Sequence, residues 1–356
     1  MFDLSSIIDI LPFSLSKNEK AELYADALGE LTKHHHANCP PYRKILDALG
    51  FDPATKHAVE DIPFIPARLF KDYELISVEM SRVIKTMTSS GTTGQSVSRI
   101  FLDQTTATNQ TKVLTKIVSN FTGKKRLPML VIDTKSALKD RNLFSARGAG
   151  ILGFSMLGYD VTYVLDENMQ LDFAALEAFC SKHKGDNILL FGFTYMIWEY
   201  FYKRLAESGK RLALENGILM HGGGWKKLVE KAVDNDNFKH SLENVCGLKN
   251  IYNYYGMVEQ TGSIFMECEA GYLHSSIFSD LIIRRTDFSV CGPREEGLIQ
   301  LVSLLPFSYP GHSILSEDAG ELVGEDDCLC GRLGKYFKIH GRVQNAEIRG
   351  CSDTLA

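Results

Sequence analysis

No stretch of this 356-residue sequence concentrates positive charge. Its 39 basic and 44 acidic residues leave a net charge of −5. Without a basic block or a basic amphipathic stretch, nothing is built to grip a nucleic-acid backbone or a membrane surface. No apolar run approaches the roughly 20 residues needed to span a bilayer. The opening MFDLSSIIDILPF lacks a positive leader and a small-residue cleavage site, so it does not read as a signal peptide. Internal repeats, low-complexity tracts and an obvious linker are missing as well. Eight cysteines without a secretory signal read as thiols or metal ligands and not as a disulfide framework. A soluble cytoplasmic protein is the expectation.

What is present is apolar material, 44% of the residues, enough for one large domain or two unequal ones. Ser16-Lys17-Asn18-Glu19 has the form of a capping box opening a helix to about His35, before Cys39-Pro40-Pro41. His34, His35 and His36 cannot all share a helix face, and they read as cations favoured by the helix C-terminus. From residue 82 strands and helices alternate. Arg82–Thr88 and Ser98–Leu102 read as strands flanking a polar loop, followed by a helix over Gln104–Asn120. Strand-like runs follow at Met129–Asp133, Val161–Leu165, Ile188–Phe191 and Ile218–His221, with helices at Asp172–His183 and Met196–Ala206. That alternation predicts an α/β fold with a mostly parallel sheet. After about residue 250 short strands such as Leu281–Arg285 and Leu298–Leu304 predict a β-rich part.

Thr88-Ser89-Ser90-Gly91-Thr92-Thr93-Gly94-Gln95-Ser96 is the most informative stretch. Two glycines permit backbone conformations barred to other residues and free N–H groups to face an anion. Hydroxyls add donors without fixed charge. The Walker spacing and its lysine are absent. An isolated cluster of this kind would be an ordinary polar turn. This one is followed by Tyr252-Asn253-Tyr254-Tyr255-Gly256-Met257-Val258-Glu259 and later by Gly331-Arg332 and Lys338-Ile339-His340-Gly341-Arg342.

Those motifs, in that order, resemble the adenylate-forming superfamily of acyl- and aryl-CoA ligases. Within it the sequence is most similar to the acyl-protein synthetases of bacterial fatty acid reductase complexes, with phenylacetate-CoA ligases nearer than most. The similarity runs from about residue 60 onward. It implies one adenylate-forming domain over 1–330, with an N-terminal helical segment of about 60 residues, and a short tail over 331–356. It also implies ATP and Mg²⁺ as cofactors. Ser89, Ser90, Gly91, Thr92, Thr93 and Gly94 would hold the ATP phosphates. Glu259 would hold Mg²⁺, a hard cation suited to oxygen ligands, and Tyr254 or Tyr255, with Gly256, would lie against adenine. Gly222 and Gly223 match the glycine-rich turn near the base. Asp318 would bind the ribose, although the arginine that usually precedes it is missing, and Arg332 would contact ribose or phosphate. An aspartate pair usually follows that arginine, one member acting as a hinge, and Gly334-Lys335 stand there instead.

Full-length ligases continue for about one further small domain, which supplies an adenylating lysine. Here Lys338 is the first candidate for that task. Near the end of the sequence, Glu347-Ile348-Arg349-Gly350-Cys351 resembles the acyl-protein synthetase tail, whose cysteine receives the acyl group. A thiolate is the strongest side-chain nucleophile near neutral pH, and Arg349 would favour it.

Two separated pairs, Cys268 with His274 and Cys328 with Cys330, could close a structural zinc site. Phenylacetate-CoA-ligase-like sequences carry similar segments. The alternative is unliganded thiols in strands. Phe191–Trp198 is apolar enough for a wall against a fatty or aryl acid, though such a helix is more often core. The resemblance thus implies activation of a carboxylic acid, a long-chain fatty acid foremost, to acyl-AMP and its transfer to Cys351. A reductase-like protein partner would receive it. Transfer to free coenzyme A, or a non-catalytic acyl-carrying or scaffold role, are the rival readings.

Overall fold

The computed structural model describes residues 3–89, 97–138, 146–225 and 232–343. It divides into two compact units at Ile117/Val118 and Tyr255/Gly256, the first taking both outer parts of the chain.

The first unit opens with helix α1 (Lys17–Asn38), whose N-terminus carries the capping box: the Ser16 N–H donates to Glu19 Oε2 at 2.9 Å. It outlasts its expected end because the Asn38 amide donates to the His34 carbonyl at 2.8 Å. Cys39 then turns extended ahead of Pro40, which starts α2 (Pro40–Ala48). Proline disfavours helical geometry in the preceding residue and suits the first helical position.

Two of the histidines ending α1, His34 and His35, are not helix-end cations, contrary to expectation. His34 stacks on Phe307 with centroids 4.0 Å apart and meets the Phe307 carbonyl at 3.0 Å. His35 is fully buried between the Ser77 hydroxyl (2.8 Å) and the Pro306 carbonyl (3.2 Å). Burial holds His34 below, and His35 well below, the ordinary imidazole value. His36 turns to Asp47 at 2.9 Å. The last turns of α1 face residues 306–312 and not water, and a charged imidazole there would lose its hydration.

Further along lie β1 (Ile65–Pro66), α3 (Leu69–Asp72), β2 (Val83–Thr88), β3 (Arg99–Asp103) and α4 (Gln104–Thr122). β2 and β3 pair antiparallel in a sheet of their own, Thr88 opposite Arg99. They stand apart from the expected parallel arrangement because a short connection can only fold the chain straight back.

The second unit alternates as the sequence predicts: β4 (Leu127–Thr134), α5 (Ala146–Ser155), β5 (Gly158–Leu165), α6 (Phe173–Lys182), β6 (Ile188–Phe193). A longer helical stretch than expected follows, α7 (Thr194–Met196) passing through a π turn (Ile197–Tyr202) into α8 (Lys203–Ser208). β7 (Gly217–Gly222), α9 (Asn235–Cys246) and β8 (Asn250–Tyr255) complete it. Within the unit the strands run parallel in the order β5-β4-β6-β7-β8. β6 is buried at every residue, as a parallel strand covered on both faces must be. Asp172 and Asp234 cap α6 and α9, accepting from Ala175 and Asn237 N–H groups at 3.0 and 2.8 Å. Phe193, Met196, Ile197 and Trp198 are buried, and Trp198 stacks on Tyr202 and Phe238, so this helix is core.

The remainder of the first unit is β-rich: β9 (Phe265–Glu267), β10 (Leu273–His274), β11 (Ser279–Arg284), β12 (Glu296–Ser303), β13 (Ser313–Glu325) and β14 (Lys335–Arg342). They run antiparallel in the order β11-β12-β13-β14-β10-β9, and β1 adds parallel to β13. α1 is pinned to this part by charge. Lys20 donates to the Ser279 carbonyl at 2.8 Å and lies 3.5 Å from Asp280, which Lys335 also reaches at 3.2 Å. Among the described residues no helix is long and apolar enough to cross a membrane.

Candidate functional site

The polar loop hangs from the β2–β3 hairpin. The Ser89 N–H donates to the Ser98 carbonyl at 3.2 Å, and the Ser98 N–H donates back to the Ser89 hydroxyl at 2.9 Å. These two bonds close the loop at its base. Ser90, Gly91, Thr92, Thr93 and Gly94, and likewise Cys351, lie outside the described residues.

Glu259 sits in a short 3-10 turn (Val258–Gln260), buried in the first unit. Its neighbour fixes the turn: the Gln260 amide donates to the Gly311 carbonyl at 2.8 Å and the Leu301 carbonyl at 3.1 Å. Gly262 follows at φ +90, where a Cβ would stand 2.8 Å from the Gln110 backbone. Burial pushes the Glu259 carboxyl up, opposed by the neighbouring Ser98 hydroxyl and the charge of Arg342. A buried carboxylate raised by desolvation gains most from a cation.

Asp318, on β13, lies opposite Arg342 of β14, and its carboxylate is 3.7 Å from the Arg342 guanidinium. Glu317 approaches the same arginine at 3.9 Å. The arginine that usually precedes such an aspartate is absent from the sequence. A cation comes instead from the facing strand, from Arg342, which the sequence alone did not mark out. Lys338 is exposed on β14, its ammonium 5.3 Å from the Tyr272 ring centroid. Gly334 and Lys335 are fastened, Gly334 donating to Asp326 at 2.7 Å and Lys335 pairing with Asp280.

In the second unit, Gly222 ends β7 with no room for a side chain: a Cβ would lie 2.6 Å from the Tyr254 ring. Gly223 adopts φ +77. Tyr254 joins an aromatic cluster with Phe154 (5.2 Å) and Phe191 (6.3 Å), so of the two tyrosines this one packs the sheet. His221, also unassigned from sequence, is buried and pushed down to about 3 by burial, its Nδ1 at 3.0 Å from the Thr194 hydroxyl. Asp133, near the end of β4, forms a buried two-pronged pair with Arg147 at the start of α5, Nε to Oδ2 at 2.8 Å. The strand order changes direction between β4 and β6, the place where open parallel sheets take ligands.

Cys268, His274, Cys328 and Cys330 come together as their spacing suggested, all ligand atoms within 4.8 Å of one another. Cys268 and Cys328 sulfurs are 3.9 Å apart, and Cys330 Sγ is 3.4 Å from His274 Nε2. A tetrahedral zinc site needs about 3.8 Å between sulfurs and about 3.6 Å between sulfur and nitrogen. Three sulfurs and one imidazole fit that ion. Burial pushes the Cys268 thiol up to about 12 and His274 down to about 4. The imidazole is therefore in its ligand form, and the thiol ionises once a cation offsets its burial.

Comparison with known proteins bears on the family and the fold. The family described as acyl-protein synthetase, LuxE, matches residues 3–356. The chain is 24% identical over 362 residues to the long-chain-fatty-acid–luciferin-component ligase of Vibrio harveyi, covering 97% of this chain and 90% of that one. A phenylacetate-coenzyme A ligase of Thermus thermophilus is 24% identical over 333 residues, covering 90% and 69%. A solved 2-hydroxyisobutyryl-CoA ligase, in an open conformation with 2-HIB-AMP and CoA, matches with a TM-score of 0.71 at 14% identity, covering 97% of this chain and 76% of that one. At that identity the likeness establishes the fold, that of the adenylate-forming ligases.

Proposed function

The chain belongs to the acyl-protein synthetase (LuxE) family, and on that premise we propose that it activates a long-chain fatty acid with ATP and carries the acyl group on Cys351 to a protein partner. It is a ligase of the adenylate-forming kind. The observation that supports this reading most directly is Glu259, a carboxylate buried next to Ser98 at the base of the Ser/Thr/Gly loop.

In the first step a carboxylate oxygen of the acid attacks the α-phosphorus of ATP. The bond to the bridging oxygen of the β-phosphate breaks, pyrophosphate leaves, and acyl-AMP remains. Residues 89–94 hold the phosphates through hydroxyls and backbone N–H groups. Glu259 would hold Mg²⁺, and that ion would offset the charge of the phosphate oxygens. Asp318, steadied by Arg342, takes the ribose hydroxyls. Tyr255 is the ring for adenine, since Tyr254 is committed to the sheet, and the turn at Gly222 and Gly223 is where the base approaches the backbone. Lys338 is the lysine proposed to assist adenylation. In the second step the Cys351 thiolate attacks the acyl carbon. The carbon–oxygen bond to phosphate breaks, AMP leaves, and a thioester forms for transfer to an acceptor such as an acyl reductase.

One observation favours a second reading, transfer to free coenzyme A: the similarity to a phenylacetate-coenzyme A ligase over 90% of the chain. Intact-protein mass after incubation with Mg·ATP and a panel of fatty and aryl acids separates the two. A hydroxylamine-sensitive acyl adduct in the wild type and none in Cys351→Ala supports self-acylation. Pyrophosphate release without an adduct, followed by acyl-CoA when coenzyme A is added, replaces it with the second reading. Silence in both assays overturns both. Glu259→Gln should lower ATP–pyrophosphate exchange by at least about 100-fold, as losing one preorganised transition-state contact does.

A further inference from the structure

The four ligand atoms of the Cys/His cluster come from two segments, 268–274 and 328–330, and a second link joins the same two parts of the chain. Glu269 directly follows Cys268, and Arg332 lies two residues beyond Cys330. Their side chains form a two-pronged ion pair, Nη1 to Oε2 at 2.5 Å and Nη2 to Oε1 at 3.2 Å. The guanidinium is largely enclosed, its side chain 14% exposed against 54% for Glu269. Phe13 walls it in: the guanidinium carbon lies 5.8 Å from that ring centroid, and the same ring meets His274 edge-on at 6.3 Å. The Leu333 N–H fastens Phe13 in turn by donating to its carbonyl at 3.1 Å.

Arg332 also reaches the sulfur of Cys330. Charge counting explains why a cation belongs there. Three thiolates and a neutral imidazole around a divalent metal leave one surplus negative charge, largely shielded from water. A guanidinium donating to a ligand sulfur offsets it, and the more exposed Glu269 carries the balancing charge outward, where solvent accepts it.

We propose that Arg332 and Glu269 form the outer sphere of this metal site, Arg332 donating to the Cys330 sulfur and Glu269 aligning the guanidinium, so that the pair sets how firmly the metal is kept. The proposal rests on the reading of the cluster as a zinc site. It places Arg332 in the service of the clip and not of the nucleotide, and gives the packing of Phe13 a purpose: it keeps water from the sulfur–guanidinium contact.

The test is zinc content of the full chain by mass spectrometry, with the rate of zinc release to excess EDTA followed by a colorimetric zinc indicator. Wild type, Arg332→Ala, Arg332→Lys and Glu269→Gln are compared, and the KM for ATP is measured alongside. The expected result is about one zinc per wild-type chain and release about 10–100-fold faster from Arg332→Ala, the usual effect of losing an outer-sphere partner. Arg332→Lys and Glu269→Gln, which preserve bulk, should fall between, so the proposal stays decidable if the alanine variant does not fold. A wild-type protein without zinc that takes up none would sink the zinc reading itself. Zinc held equally by all four proteins would leave that reading standing and overturn the outer-sphere role. Unchanged release together with a raised KM for ATP in Arg332→Lys would return the arginine to the nucleotide.

Discussion

The imidazole rings of His35 and His312 stack 4.8 Å apart at 25° to one another, both fully buried. His312 Nε2 lies 3.0 Å from the Thr32 hydroxyl and 3.3 Å from that of Tyr42, and the His34 ring meets His35 edge-on with centroids 5.1 Å apart. Burial pushes His312 down to about 3 and His35 well below its ordinary value of 6.5. Both rings bind protons less readily folded than unfolded, so the unfolded chain takes up more protons as pH falls. Stability is therefore full above about pH 7 and is lost as pH drops through 6.5, by about 2 kcal/mol for His312 alone on reaching pH 5. In thermal melts from pH 8 to 5, wild type should show this fall. His312→Gln should start lower at pH 8 and fall less steeply; equal slopes would mean other groups carry the acid lability.

Two glycines should respond to alanine in opposite directions. Gly29 lies within α1 with nothing within 4 Å of its Cβ position. Gly29→Ala should stabilise by about 0.5–1 kcal/mol through helix propensity. Gly222→Ala drives a methyl into the Tyr254 ring at 2.6 Å and should cost about 1–3 kcal/mol. Denaturant midpoints of the two variants against wild type check both signs.

Asp133 and Arg147 are both nearly inaccessible and pair with each other. Removing one partner strands the other charge, so Arg147→Ala and Asp133→Asn should each destabilise by about 3–5 kcal/mol. Removing both together should cost less than the sum of the single changes, which a double-mutant cycle measures directly. Additive losses would show that the pair contributes little beyond its separate contacts.

Withdrawing the metal should also register as lost stability. Cys268 and Cys328 face each other across 3.9 Å, and in the absence of a cation burial keeps the Cys268 thiol protonated. Chelation should lower the Tm of wild type and leave that of Cys328→Ser, already reduced, nearly where it was. Restoration of the wild-type Tm by added zinc, and not by magnesium, is the accompanying expectation.

Features read correctly from sequence are those whose cause is local or whose chemistry is distinctive. The capping box at Ser16 and Glu19, the strand–helix alternation over 118–255, and the two cysteine pairs each announce themselves within a few residues. The burial of His34 and His35 did not, because Phe307 and Pro306, which they meet, lie 273 and 271 positions away. A polar residue near a helix end reads as solvated unless the packing that buries it is known. Arg342 and Arg332 illustrate the same limit. One arginine next to Asp318 went unassigned because its strand pairing was invisible, and the ion pair of the other with Glu269 beside the clip was equally hidden. Tyr254 and Tyr255 could be told apart only once the ring of Tyr254 was seen among Phe154 and Phe191.

The division of the chain at Ile117 and Tyr255 has a consequence for how the protein is made. Ribosomes deliver α1 early, yet Asp280, Ser279 and His312, which satisfy Lys20 and His35 or stack against it, are encoded beyond the second unit. At about 5–20 residues per second, the intervening stretch alone takes roughly 7–28 s to emerge. Through that interval the nascent N-terminal helices expose Tyr24, Leu28 and Tyr42 with no sheet to cover them, while the parallel strands behind them can already associate. The order of synthesis thus leaves the first-made segment the last to be housed, and the best candidate for chaperone shelter on the way.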